Sequence, residues 1–166
     1  MPVLGLGHDV VDVAAFAEQL ALPGSRMRTL FSVRETRQAA ARAAAKYDGE
    51  AVHLAAKWAG KEAVLKAWCE AVGEGALPYT LDDFPWSGVE ILDDAHGRPH
   101  VALRDDVARE LRESLPSPRL RSPLPRDPST EPIGGGPAAP PSPAPRWHVS
   151  LTHDAGIASA VTLLES

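Results

Sequence analysis

Hydrophobic and polar positions change period several times along the chain, and each change marks an element. Residues Val3 to Val11 are rich in branched apolar side chains and predict a strand. From Asp12 to Ala21 the spacing turns helical, with Val13, Phe16, Ala17 and Leu20 on one face. Pro23, Gly24 and Ser25 break that helix. Ser32 followed by Glu35 has the form of a capping box and opens an alanine-rich helix that ends before Asp48-Gly49. A longer helix is predicted over about Ala51 to Val72, closed by Gly73 and Gly75, with loop through Trp86. GVEIL, DDAHG and RPHVAL then read as strand, turn and returning strand, followed by a short amphipathic helix over Arg104 to Ser114. WHVSLT and IASAVTLL form a second hairpin around HDAG. Helices mixed irregularly with hairpins predict an α+β fold rather than a parallel βαβ sheet.

Composition changes this picture in one place. Eleven of the 16 prolines fall between Pro116 and Pro145, with Gly134 to Gly136 among them. Such a segment cannot bury enough apolar surface to offset its ordering entropy, so 115–146 is expected to be a disordered insertion within a single domain spanning 1–166. The net charge of -5 lacks the basic footprint of a nucleic-acid binder. The single cysteine, Cys69, allows no internal disulfide. The first residues make a poor signal peptide and no uncharged run reaches membrane-spanning length, which predicts a cytoplasmic protein away from membranes.

Candidate chemistry gathers on three stretches. On the first strand, Val3, Gly5, Gly7, Asp9 and Val11 share a face, so two glycines are expected to leave open space beside the Asp9 carboxylate. The alternative is a strand-end carboxylate at a turn. Valine at position 10 excludes a dinucleotide fingerprint. On the long helix, Ala56, Ala59, Ala63 and Ala67 form a small-residue stripe suited to close packing. Glu62 and Lys66 lie beside it, one turn apart. They are either an ordinary i,i+4 pair or a carboxylate and amine aimed at a ligand, and the neighbouring Trp58 and Leu65 are unusual for a purely solvated face. Lys57 and Lys61 occupy another sector and read as snorkelling lysines at a helix edge. In the last hairpin His148, Ser150 and Thr152 share a face. A polar face ending at His153 in the turn suits a ligand rim or a solvated sheet equally. Zinc spacing and a serine-nucleophile elbow are both missing.

GLGHDVVDV, LFSVRE, HLAAKWAGKEAVLKA, the HGRP turn and WHVSLTHD, taken in this order, resemble the holo-acyl-carrier-protein synthase branch of the 4′-phosphopantetheinyl transferases. The likeness covers nearly the whole chain outside the proline-rich segment. It implies a phosphopantetheinyl transferase-like α+β fold, one long central helix packed on antiparallel strands, of the small type that forms homotrimers with sites between subunits. It implies Mg²⁺-dependent transfer of 4′-phosphopantetheine from coenzyme A to a serine of an acidic apo acyl carrier protein of fatty-acid or polyketide biosynthesis, releasing 3′,5′-ADP. By the same resemblance Asp9 and Glu62 hold the Mg²⁺. Glu62 takes the serine proton directly or through a water, and Lys66 lies beside the phosphates. Lys57, Gly97, Pro99 and His153 bind the nucleotide end of coenzyme A, partly from a neighbouring subunit. Two stretches depart from the family pattern. VAAF stands where relatives carry a carrier-docking arginine, leaving Arg26 and Arg28 as candidate replacements, and WCEAVGEG places Glu70 where relatives have a Gly-x-Gly segment near the phosphates. The alternative is a non-catalytic descendant that binds coenzyme A or a carrier, and a scaffold recruiting partners through the proline-rich arm is a third reading.

Overall fold

The structure is a computed structural model, and it describes residues 2–116 and 144–166. In chain order the elements are β1 (Val3–Asp12), α1 (Val13–Ala21), a 3₁₀ turn (Met27–Leu30), α2 (Val33–Lys46) and α3 (Glu50–Val72). A second 3₁₀ turn (Trp86–Gly88) leads into β2 (Val89–Asp93), β3 (Pro99–Leu103), α4 (Asp105–Ser114), β4 (Arg146–Asp154) and β5 (Ile157–Glu165). The strands make two antiparallel sheets, one ordered β1-β5-β4 and one of β2 with β3. The α+β fold, with one long helix on antiparallel strands, is as expected. The expected insertion, apart from its first and last residues, lies outside the described residues.

Helix starts follow the local chemistry. The Asp12 carboxylate accepts the Ala15 N–H at 3.0 Å and caps α1. Ser32 and Glu35 form the reciprocal box at the start of α2. The central helix α3 is buried on almost every side, so its apolar residues show no single stripe. Val64, Leu65 and Trp68 pack with Val89, Ile91, Val107, Leu111 and Leu164, while Leu54 and Ala55 pack with Phe16, Phe31 and Ala158.

Beneath α3 lies β1, and the space beside Asp9 is not open. A Cβ built on Gly7 would sit 1.8 Å from the Ala63 carbonyl oxygen, and one on Gly5 would sit 2.0 Å from that of Ala67. The glycines let the helix backbone rest directly on the strand. The alanine stripe does serve close packing.

Lys57 and Lys61 do not snorkel; they are 3% and 0% exposed. Their ammonium groups belong to a set of side chains that completes the edge of β2 left free by β3. Lys61 donates to the Val89 carbonyl, and Glu35 Oε1 accepts the Ile91 N–H at 2.9 Å. Lys57 donates to the Ile91 carbonyl at 2.7 Å. Gln38 accepts the Asp93 N–H and donates to the Asp93 carbonyl, both at 2.9 Å. Side chains of α2 and α3 thus replace a missing strand, because buried peptide groups must find partners.

The last hairpin turns more tightly than HDAG implies. Both strands extend until only Ala155 and Gly156 remain in the turn, with φ of 47° and 80°. Two consecutive positive φ values are those of a type I′ hairpin. The extension puts His153 in alternation with Leu151, on the partly buried face, rather than at the end of the exposed polar face. That polar face is occupied instead by contacts such as His148 to Glu165 at 2.9 Å.

Candidate active site

Two elements far apart in sequence supply the first cluster. Asp9 sits two residues past Gly7 on β1, where the strand touches α3, and it is 8% exposed. Glu62 and Lys66 project from α3 one turn apart. Lys66 Nζ donates to Asp9 Oδ1 at 2.8 Å and to the His8 carbonyl at 3.0 Å. It is therefore a cross-element partner of Asp9 rather than only a helix-surface residue. Burial raises the Glu62 carboxyl to about 7, and the adjoining Asp9 carboxylate pushes in the same direction by charge and by hydrogen bonding. Lys66 opposes the shift.

The donor set fits a divalent cation. Asp9 Oδ2 is buried, and once Glu62 gives up its proton it has no hydrogen-bond donor. It lies beside a second carboxylate that ionises reluctantly because burial and the Asp9 charge both disfavour its anion. Mg²⁺ takes oxygen ligands and keeps several waters or phosphate oxygens, so two carboxylates suffice. Among the described residues no group of three or more His, Cys, Asp or Glu side chains gathers.

The raised Glu62 carboxyl has a consequence for stability. In the unfolded chain it releases its proton near 4.5, but in the folded metal-free protein it holds the proton to about 7. The folded state binds more protons across that window, so this group's contribution falls as pH rises through it. His153 acts in the opposite sense, because burial lowers its pKa. The comparison of wild type with Glu62→Gln isolates the carboxyl. Their melting temperatures should coincide below about pH 4.5, diverge with the variant higher as pH rises from there to about 7, and stay apart above it in chelator. Differential scanning calorimetry across that range checks it.

The second cluster lines a cavity of about 180 Å³ between α2, α3, the β2–β3 turn and β4. Lys57, Gly97, Pro99 and His153 all border it, as do Arg42, Lys46 and His53. Gly97 adopts φ +76°, and a Cβ there would come within 2.7 Å of Arg42 Nη2. His53 packs edge-on against His153 with ring centroids 5.4 Å apart, and its Nε2 lies 2.7 Å from Asp48 Oδ1. Arg42, Lys46 and His53 were not singled out by the sequence. The usable signal was helical spacing, with Arg42 and Lys46 one turn apart, and His53 and Lys57 likewise.

The two clusters do not meet within one chain. Asp9, Glu62 and Lys66 are not among the cavity's lining residues, and Lys57 and Glu62 project roughly 140° apart around α3. Two other expectations change. Arg28 is held by Glu50 through hydrogen bonds of 3.1 and 3.3 Å, so its charge is already partnered. Glu70 turns back onto β1, where its carboxylate accepts the Leu6 N–H.

Comparison with known proteins places the chain in a family. Residues 5–117 match the family model described as the 4′-phosphopantetheinyl transferase superfamily. A holo-[acyl-carrier-protein] synthase of Bifidobacterium animalis subsp. lactis is 55% identical, covering 98% of this chain and 98% of the relative. One from Bifidobacterium adolescentis is 51% identical, covering 98% and 99%. Among solved structures, the Chronobacterium ammoniagenes ACPS–CoA complex superposes with a TM-score of 0.73 at 30% identity, covering 99% of this chain and 97% of that one. The Mycobacterium tuberculosis acyl carrier protein synthase gives 0.62 at 29% identity, with 99% of each chain covered.

Proposed function

The chain belongs to the 4′-phosphopantetheinyl transferase superfamily, in its holo-acyl-carrier-protein synthase branch, and from that premise we propose how its residues divide the reaction. Coenzyme A donates 4′-phosphopantetheine to a serine of an apo acyl carrier protein, and 3′,5′-ADP leaves. The single observation that carries the site is the meeting of Asp9 and Glu62, 53 positions apart in sequence (62 − 9), around an unsatisfied buried oxygen.

The serine oxygen forms a bond to the β-phosphorus while the bond from that phosphorus to the oxygen bridging to the α-phosphate breaks. Glu62 takes the serine proton, directly or through a water. Lys66 is half exposed, and on coenzyme A binding its ammonium moves from Asp9 to the phosphates, where it stabilises the leaving 3′,5′-ADP. Asp9 and Glu62 would hold Mg²⁺, which supplies charge neutralisation on the pyrophosphate. Lys57, Gly97, Pro99 and His153 bind the nucleotide end, with Arg42, Lys46 and His53 adding positive or protonatable groups to the same wall.

The separation of the two clusters supports a homotrimer in which the cavity of one protomer faces the carboxylates of the next. The outer face of the β1-β5-β4 sheet supports it too, since Leu6, Val10, Ile157 and Val161 are exposed there at 42–54%. Co-refolding Glu62→Gln with Gly97→Val, each inactive alone, should restore part of the transfer rate. Mixed assemblies would then pair an intact cavity with an intact carboxylate pair. Absence of any restoration would place both halves of the site in one protomer. No helix among the described residues is long and apolar enough to cross a membrane.

The test of the reaction is the intact mass of an apo carrier after incubation with coenzyme A and Mg²⁺. A gain of one phosphopantetheine is expected. Binding of coenzyme A with no gain on any carrier, a cognate one included, would favour the non-catalytic reading.

A further inference from the structure

Lys61, the residue before Glu62, is fully engaged in the interior. Its ammonium meets Glu35 Oε2 at 2.8 Å, the Trp86 carbonyl at 2.7 Å and the Val89 carbonyl. An ammonium has three protons, and all three have acceptors. The Phe31 ring lies 5.5 Å from Nζ. Glu35 is equally committed, since its carboxylate also accepts the Ser32 N–H at 2.8 Å and the Ile91 N–H at 2.9 Å. Both side chains are 0% exposed, so neither can touch a substrate.

A wholly buried ion pair is poor evidence of a stability role, because apolar residues of similar volume often serve as well. Geometry is the better account. The contact between Gly7 and Ala63 sets how closely α3 approaches β1, but it involves no interlocking side chains and does not by itself fix the roll of the helix, which apolar packing along α3 limits. Lys61 adds directional polar ties at the position next to Glu62. Its carbonyl partners belong to β2 and the turn before it, and Glu35 fastens the start of α2 to the same point. We infer that Lys61 and Glu35 are positioning residues that hold Glu62 in register with Asp9. This inference rests on the transfer reading above.

The test is the double variant Glu35→Gln/Lys61→Met, which is neutral, nearly isosteric and strands no buried charge. With a cooperative thermal melt confirmed, its kcat should fall about 10–100-fold, and its Mn²⁺ affinity by electron paramagnetic resonance should fall in parallel. KM for coenzyme A should stay within about twofold, because Lys57 and Gln38 still hold the cavity end of β2. A pair that is only structural would lower the melting temperature and leave these readouts alone. A cooperative melt with wild-type kcat and wild-type Mn²⁺ affinity overturns the inference. If the double variant does not melt cooperatively, Glu35→Gln alone, which keeps both carbonyl bonds of Lys61, is read by the same criteria. Wild-type protein without transfer activity would fault the transfer reading instead, and Mn²⁺ affinity alone would then decide this one.

Discussion

Glu62→Gln should abolish transfer while making the metal-free protein harder to melt. The two effects have one cause. Glutamine keeps the shape of the protonated acid but can neither ionise nor take a proton, so the general base is lost at a cost of about 10²–10⁴-fold in rate. Loss of a cation ligand deepens the defect. In the metal-free protein the same change removes a charge that burial and Asp9 both disfavour, and above about pH 7 the fold gains what the ionised carboxyl had withheld. Single-turnover transfer and a calorimetric melt of one preparation check both. Loss of activity with an equal or lower melting temperature would mean that Glu62 is not strained against Asp9.

Gly7→Ala should be among the most damaging single-methyl additions in the chain. Adding carbon to a packed interior costs about 1–3 kcal/mol, occasionally more, when neighbours can adjust. Here the obstacle is the Ala63 carbonyl oxygen at 1.8 Å, which is backbone in the middle of α3 and cannot rotate away. The strand and helix must separate, and Asp9, two residues along, moves away from Glu62 with them. Denaturant unfolding should show a loss at or above the top of that range, and transfer should fall well beyond it at temperatures where the variant is folded. Ala63→Gly should not rescue it, because the clash is not with the alanine methyl. Rescue would show that side-chain crowding, not backbone contact, sets the spacing.

Local periodicity made most of the fold legible. Branched residues marked β1, the 3.6-residue repeat marked α1, and Ser32 with Glu35 marked the start of α2. What escaped depends on partners distant in sequence. Lys57 and Lys61 look like edge lysines until the free edge of β2 lies against them, and nothing in their own helix announces those carbonyls. Gly5 and Gly7 look like open space until α3 fills it. His153 changed faces because the hairpin turn is two residues tighter than its polar letters imply, and strand alternation then reassigns the neighbouring side chains. The Asp9, Glu62 and Lys66 set was found through family resemblance. Spacing alone left each of Asp9 and the Glu62–Lys66 pair with an ordinary explanation.

Mn²⁺ titration followed by electron paramagnetic resonance tests most directly whether Asp9 and Glu62 share one divalent cation. Wild type should bind Mn²⁺ in competition with Mg²⁺. Asp9→Asn and Glu62→Gln should each weaken binding at least about tenfold, and His153→Ala, in the other cluster, should leave it unchanged. Wild-type affinity in Asp9→Asn would contradict the shared site.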